Sequence, residues 1–219
     1  VLVASPATGQ RPAVIIFPSF VGRSESEVAV ARRLAGLGYV GIAADLYGEG
    51  RQGIGQEECF GLMRPFLEDR RSLQERLLAI LEAVRALPEV DPQRVAAIGY
   101  CFGGLCALDL ARSGADVSGV ASFHGLFTPA PHLKGTSISA KVLAFHGWDD
   151  PMAPPEQVLE LARELSGAGA DWQIHAYGGT MHSFTNPNAN APEKGVMYND
   201  TASQRSWATL ERFLNELFG

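Results

Sequence analysis

Short apolar runs and helical stripes alternate along this chain from one end to the other. Residues 14–17, Val-Ile-Ile-Phe, form a continuous apolar run of the kind a strand buried on both faces needs. Ser24-x-x-Glu27 then reads as a capping box, and Val30, Leu34 and Leu37 mark one helical stripe that stops at Gly38. Residues 39–46 are the next strand, closing in Asp45-Leu46-Tyr47-Gly48. Residues 48–65 are glycine-rich and read as irregular, an excursion over the sheet edge placed where a lid would sit. Leu73, Leu77, Ile80, Leu81, Val84 and Leu87 recur at helical spacing, and Asp91-Pro92 turns the chain into a strand at 95–98. Further strands are predicted at 117–123, 142–146 and 172–177, with a helix at 155–165 between the last two. A final helix carries Trp207, Leu210, Leu214 and Leu217 on one face. Such alternation predicts an α/β fold, a mainly parallel sheet with helices on both faces. No repeat, low-complexity tract or linker divides the chain, so residues 1–219 are expected to form one domain.

Composition narrows the function classes. The chain is 46% hydrophobic and 19% charged with mean hydropathy +0.02, enough apolar material for an ordinary core. A net charge of −6 and a pI near 5.4 speak against a nucleic-acid surface, which needs a basic excess. No apolar run reaches the ~18 residues of a membrane span. Three cysteines, Cys59, Cys101 and Cys106, cannot all pair, which suits a reducing, cytoplasmic setting better than a disulfide scaffold. No metal-ligand spacing and no cofactor fingerprint occurs, so neither a metal nor a cofactor is expected.

The stretch richest in chemistry is Gly99-Tyr100-Cys101-Phe102-Gly103-Gly104. It follows a buried strand and opens the apolar helix around Leu105, Ala107, Leu108 and Ala111, the arrangement of a Gly-x-nucleophile-x-Gly elbow with cysteine as nucleophile. Glycine is required on either side because the strand-to-helix turn leaves no room for a Cβ, and the central residue is held in a strained conformation. The turn lifts the Cys101 sulfur out of the sheet and sets it at a helix N-terminus, where N–H groups and the helix dipole favour a thiolate. The N–H of Phe102 is then one oxyanion donor, and the N–H of Phe20, in the loop after the first strand, the second.

In such a fold an acid and then a histidine follow the nucleophile. After the strand at 142–146 comes Gly147-Trp148-Asp149-Asp150-Pro151, and after the next strand Met181-His182-Ser183-Phe184. Taken singly, each has a plainer reading: a small buried cysteine in a turn, an aspartate pair capping a turn, a solvated loop histidine. Together, in the required order and at the C-terminal strand edge, they point to a triad of Cys101, His182 and either Asp149 or Asp150. His124 ends a strand near the same edge and is a candidate for the pocket wall. His146, His132 and His175 are read as structural or exposed, Cys106 as buried and inert, and Cys59 as a candidate for exposure.

With these residues in hand, the chain resembles the dienelactone hydrolase (carboxymethylenebutenolidase-like) family of α/β hydrolases. The resemblance rests on Asp45-Leu46-Tyr47-Gly48, the cysteine elbow, Gly147 followed by Asp150, His182-Ser183-Phe184, and Tyr198-Asn199 through Ser206-Trp207. It implies the α/β-hydrolase fold and assigns the acid to Asp150. Two positions depart from the family pattern. Ser19 stands where the dienelactone enzymes carry a glutamate facing the cysteine, and Thr185-Asn186-Pro187 replaces a segment that holds a carboxylate-binding arginine. The expected activity is therefore hydrolysis of a small neutral or weakly acidic ester or lactone through a thioester, with Phe20, Phe102, Trp148 and Phe184 around the entrance. A monomer or small homo-oligomer is expected. The alternatives are a cysteine-dependent amidase or peptidase, disfavoured by the long Cys101–Asp150–His182 spacing, and a ligand-binding relative without catalysis.

Overall fold

The computed structural model describes the backbone of residues 2–3 and all of residues 9–219. Its centre is a seven-stranded sheet. The strands are β1 (Leu2–Val3), β2 (Arg11–Phe17), β3 (Val40–Ala43), β4 (Val90–Tyr100), β5 (Gly119–Phe123), β6 (Lys141–Gly147) and β7 (Trp172–Tyr177), in the spatial order β1-β3-β2-β4-β5-β6-β7. All neighbours run parallel except β1, which pairs antiparallel with β3 at the edge. A parallel sheet needs helical crossovers, and these are α1 (Glu25–Gly36), α2 (Gly55–Glu68), α3 (Arg70–Arg85), α4 (Phe102–Arg112) and α5 (Pro155–Gly167), with α6 (Asp200–Phe218) closing the chain.

Alternation along β2 sorts the core into two layers. Ala13, Ile15 and Phe17 face one side with Leu73, Leu77 and Leu81 of α3, Leu105 and Leu108 of α4, and Leu161 and Leu165 of α5. Val14 and Ile16 face the other, with Ala31 and Leu34 of α1 and Trp207, Leu210 and Leu214 of α6. The apolar run at 14–17 is thus apolar throughout because both its faces are covered.

Two expectations are corrected. Residues 48–65 are not irregular throughout, because α2 begins at Gly55 and turns Cys59 and Met63 inward at a four-residue spacing. Gly61 and Pro65 had hidden that stripe by lowering the apparent helix propensity. Cys59 is accordingly buried, packed where a Cβ on Gly53 would meet its sulfur at 2.6 Å. The second concerns Asp91-Pro92. β4 already pairs with β2 at Val90, opposite Arg11, and resumes at Val95, opposite Ala13, so residues 91–94 bulge out of a strand and do not precede one.

A buried ionic cluster ties α3, α4 and α5 to one another on one face of the sheet. Arg70 grips Asp109 with two hydrogen bonds of 2.7 and 2.6 Å, and Arg112 bridges Asp109 and Glu164. Arg112 also donates to the carbonyls of Phe127 and Thr128, so the elbow helix α4 is fixed to the loop that follows β5. Removing one partner would strand an uncompensated charge in the core, which costs about 3–5 kcal/mol. No helix among the described residues is long and apolar enough to cross a membrane.

Candidate active site

The elbow between β4 and α4 is built by exclusion of side chains. A Cβ on Gly99 would lie 1.9 Å from the Gly103 carbonyl oxygen, and one on Gly103 would lie 2.1 Å from the Phe17 carbonyl oxygen. With both positions bare, the chain reverses within a few residues, and Cys101 takes φ 56° and ψ −116°, a strained conformation for a residue with a Cβ. The strain is held by hydrogen bonds on both sides. The Cys101 N–H donates to Phe123 at 3.0 Å, and the Cys101 carbonyl accepts from Gly104 at 2.9 Å. Among the described non-glycine residues, positive φ recurs at Glu49, His124 and Ser183, and the last two lie on the same cavity as Cys101.

His182 and Asp150 come from the loops after β7 and β6. His182 Nδ1 lies 2.7 Å from Asp150 Oδ2, and both side chains are buried. Asp150 Oδ1 accepts the Met152 N–H at 2.8 Å, so each of its oxygens is engaged. Asp149, the competing candidate, is exposed, so Asp150 is the carboxylate of the pair that meets the imidazole. A side chain on Gly147 would collide with the Thr180 and Met181 carbonyls, so this glycine lets the two loops close together.

His182 Nε2 is buried and makes no hydrogen bond that meets good geometry. It nonetheless feels Cys101. Burial alone would lower the imidazole pKa, but the charge of Cys101 and the bond to Asp150 outweigh it and raise the value from the ordinary 6.5 to about 10. Close electrostatic contact without a well-aligned hydrogen bond is common for catalytic pairs before substrate binds.

His124 packs edge-on against His182, with ring centroids 5.1 Å apart, and its Nε2 bonds the Thr185 hydroxyl at 2.8 Å. Burial, and then the neighbouring His182, hold its pKa well below 6.5. A neutral His124 therefore adds no second positive charge beside His182. His146 is fully buried behind Asp150, against Phe127 and Trp148, with its pKa lowered chiefly by burial.

Neither the Phe20 nor the Phe102 N–H donates to a backbone carbonyl among the described residues. Phe102 is the first residue of α4, where an N–H has no intrahelical acceptor. Phe20 is held in place by Tyr47, whose hydroxyl donates to the Phe20 carbonyl at 2.9 Å, and by an edge-on contact with Phe60. Burial, followed by the nearby thiols of Cys106, Cys59 and Cys101, keeps the Tyr47 phenol protonated well above its usual range.

A cavity of about 500 Å³ opens on Cys101, within the range of small-molecule sites. Phe20, His124, Ser19 and Asn186 line it, so both positions that depart from the dienelactone pattern face the ligand space. Three expected entrance residues lie elsewhere. Phe184 has no exposed surface and packs against His124 and Tyr177, and the ring of Phe102 is equally buried. Trp148 is 43% exposed, but it turns toward His146 and away from the cavity wall. Conversely, Glu27, Arg33, Tyr100 and Trp207 line the cavity although their local patterns marked only a helix cap, an ordinary helix surface, an elbow neighbour and a core stripe. No group of three potential metal ligands occurs among the described residues.

The parallel sheet, the elbow and the acid–histidine pair at its C-terminal edge define the α/β-hydrolase class. The dienelactone hydrolase family model matches residues 1–218, and the chain belongs to that family of ester and lactone hydrolases. It is 30% identical to a putative carboxymethylenebutenolidase of Synechocystis, covering 96% of this chain and 89% of the relative. It is 36% identical to an uncharacterised protein of Caenorhabditis elegans over 67% of this chain and 94% of the other. Among solved structures, a dienelactone hydrolase-like promiscuous phosphotriesterase from metagenomic libraries superposes with a TM-score of 0.92 at 37% identity, covering 97% of this chain and 89% of that one.

Proposed function

We propose that this hydrolase cleaves a small ester or lactone by nucleophilic catalysis, with Cys101 as nucleophile, His182 as base and acid, and Asp150 as the residue that orients His182. The observation that carries this reading is the 2.7 Å bond between buried Asp150 and His182, whose free Nε2 is poised electrostatically against the strained Cys101. Cys101 passes its proton to His182 and attacks the carbonyl carbon, and the oxyanion is received by the N–H groups of Phe20 and Phe102. His182 returns the proton to the departing alkoxide, leaving an acyl thioester on Cys101. His182 then takes a proton from water, hydroxide adds to the thioester, and the acid and free thiol are released. Ser19 and Asn186 stand at the two departing positions, and Arg33 on the cavity wall is engaged by Trp207 and Glu211, which favours a neutral or weakly acidic substrate over a dicarboxylate. The three cysteines are free thiols, in keeping with a reducing, cytoplasmic setting.

The likeness to a promiscuous phosphotriesterase favours a second use of the same nucleophile, attack at phosphorus of a neutral phosphotriester with an aryloxide as leaving group. Pre-steady-state assays of wild type and Cys101→Ala on p-nitrophenyl esters, small lactones and p-nitrophenyl phosphotriesters test both readings. A burst of p-nitrophenol in the wild type, absent from Cys101→Ala, is expected on the esters. Equal trace activity in the two proteins on every ester and lactone would sink the thiol mechanism and leave a non-catalytic binding role. An ester burst without phosphotriester turnover removes the second reading only.

A further inference from the structure

Glu27 sits in the first turn of α1, three residues after its cap, Ser24. Its Oε2 accepts both the Ser24 N–H at 2.8 Å and the Ser24 hydroxyl at 2.7 Å. Oε1 accepts neither, and is not among the buried atoms cut off from all surface. The residue is only 4% exposed, and it lines the cavity that holds Cys101, so the surface left to Oε1 opens on that cavity. Oε1 is thus a carboxylate oxygen that keeps its surface on the cavity and takes no hydrogen bond from the protein.

The helix cap does not account for this oxygen. A capping box uses one oxygen of its third residue, and glutamine serves as well as glutamate. Nor is the charge answered from inside the cavity. Arg33, the one Lys or Arg among the described wall residues, lies over the Trp207 ring at 3.7 Å and faces Glu211 at 3.7 Å. Hydroxyls of Ser19, Ser26 and Ser183 line the same space. Glu27 also acts on the cavity near the nucleophile: after burial, it is the main influence holding the Tyr100 phenol up, against Arg33.

We propose that Glu27 is a specificity-determining residue whose unpartnered oxygen accepts a hydrogen bond from a hydroxyl on the substrate, on the arm remote from the scissile carbonyl. The preferred substrates are then hydroxylated esters. This rests on the reading of the Cys101 cavity as the substrate site.

The test compares ω-hydroxy and ω-methoxy versions of two ester series of graded chain length, one varied in the acyl arm and one in the alcohol arm. A methoxy group can only accept a hydrogen bond, so wild type should favour the hydroxy member at the chain length that reaches Glu27. In Glu27→Gln the cap engages the amide oxygen and leaves the NH₂ toward the cavity, a donor where an acceptor stood. The hydroxy-to-methoxy ratio of kcat/KM should fall about tenfold, because the acceptor that only the hydroxy ester can use has been replaced by a donor. A merely structural role would scale both esters together and leave the ratio fixed. A ratio near one in wild type for both series, or a preference that survives Glu27→Gln, overturns the proposal. The same ratio is read without catalysis from calorimetric Kd values of the ω-hydroxy and ω-methoxy amides, measured on Cys101→Ala with and without Glu27→Gln. Loss of turnover in wild type with a Glu27-dependent Kd ratio then counts against the thiol mechanism alone. An unchanged Kd ratio counts against Glu27 alone.

Discussion

Asp150 Oδ2 and His182 Nδ1 lie 2.7 Å apart in a pocket from which water is almost wholly excluded, although they come from separate loops 32 residues apart in sequence. That bond selects the tautomer that leaves Nε2 toward Cys101. Asp150→Asn should retain the fold and lower kcat by roughly three to four orders of magnitude, because an amide can stabilise the wrong tautomer and cannot stabilise an imidazolium. Asp149→Asn, at the exposed neighbour, should change kcat less than about twofold. Steady-state kinetics on one aryl ester decides both.

The raised His182 pKa sets the direction of pH effects. Its folded value of about 10 lies above the ordinary 6.5, so the stabilisation from holding the protonated ring is complete below pH 6.5 and is lost as pH rises toward 10. Thermal melts should show the wild-type Tm declining across that window, with a weaker decline in Cys101→Ala, which lacks the charge that does most to raise the value. The alkaline limb of kcat/KM should move to lower pH in Asp150→Asn. A limb that stays in place would assign it to another group.

Gly103 supports the elbow by what it lacks. In Gly103→Ala the new Cβ would lie 2.1 Å from the Phe17 carbonyl oxygen and 2.6 Å from that of Pro18, backbone atoms that cannot swing aside. A loss of about 3 kcal/mol is expected, a Tm drop of roughly 6–12 °C for a chain of this size. Gly36→Ala, where the Cβ meets nothing within 4 Å, is the control and should be neutral or slightly stabilising.

Tyr47→Phe removes the bond to the Phe20 carbonyl while keeping the ring stacked on Phe66. The loop that carries Phe20, the proposed oxyanion donor, then loses one anchor. About 1 kcal/mol of stability should go, and kcat should fall about tenfold with KM changing less, because the oxyanion forms only as the reaction proceeds. Equal losses in kcat for Tyr47→Phe and for a distant variant of the same stability would reduce Tyr47 to a packing residue.

Phe184 and Trp148, alike in the sequence as aromatic neighbours of the proposed triad, should separate in the melt. Phe184→Ala opens a hole in the layer beneath His124 and should cost about 3–5 kcal/mol. Trp148→Ala, half in solvent and off the cavity, should stay within about 0.5 kcal/mol and leave kcat/KM on small esters nearly unchanged.

Much of the architecture is local and was therefore legible in the chain itself. Continuous apolar runs mark strands covered on both faces, the Ser24–Glu27 box marks the start of α1, and Gly99 and Gly103 around Cys101 mark a turn that only glycine permits. These patterns depend on near neighbours, whose separation is set by backbone geometry. The pairing of His182 with Asp150 rather than Asp149 was left open by the residues alone, and the family resemblance pointed to Asp150. Tertiary structure adds the burial of one carboxylate beside the imidazole and the exposure of the other. The helix from Gly55 is not legible in the sequence because Gly61 and Pro65 weaken its local signal, while packing of Cys59 and Met63 stabilises it regardless. The cavity wall was least legible of all. Glu27 reads as a cap, Trp207 as core and Phe184 as an entrance residue until the sheet brings α1 and α6 beside the elbow, since which side of a residue meets empty space is decided by chain segments far away in sequence.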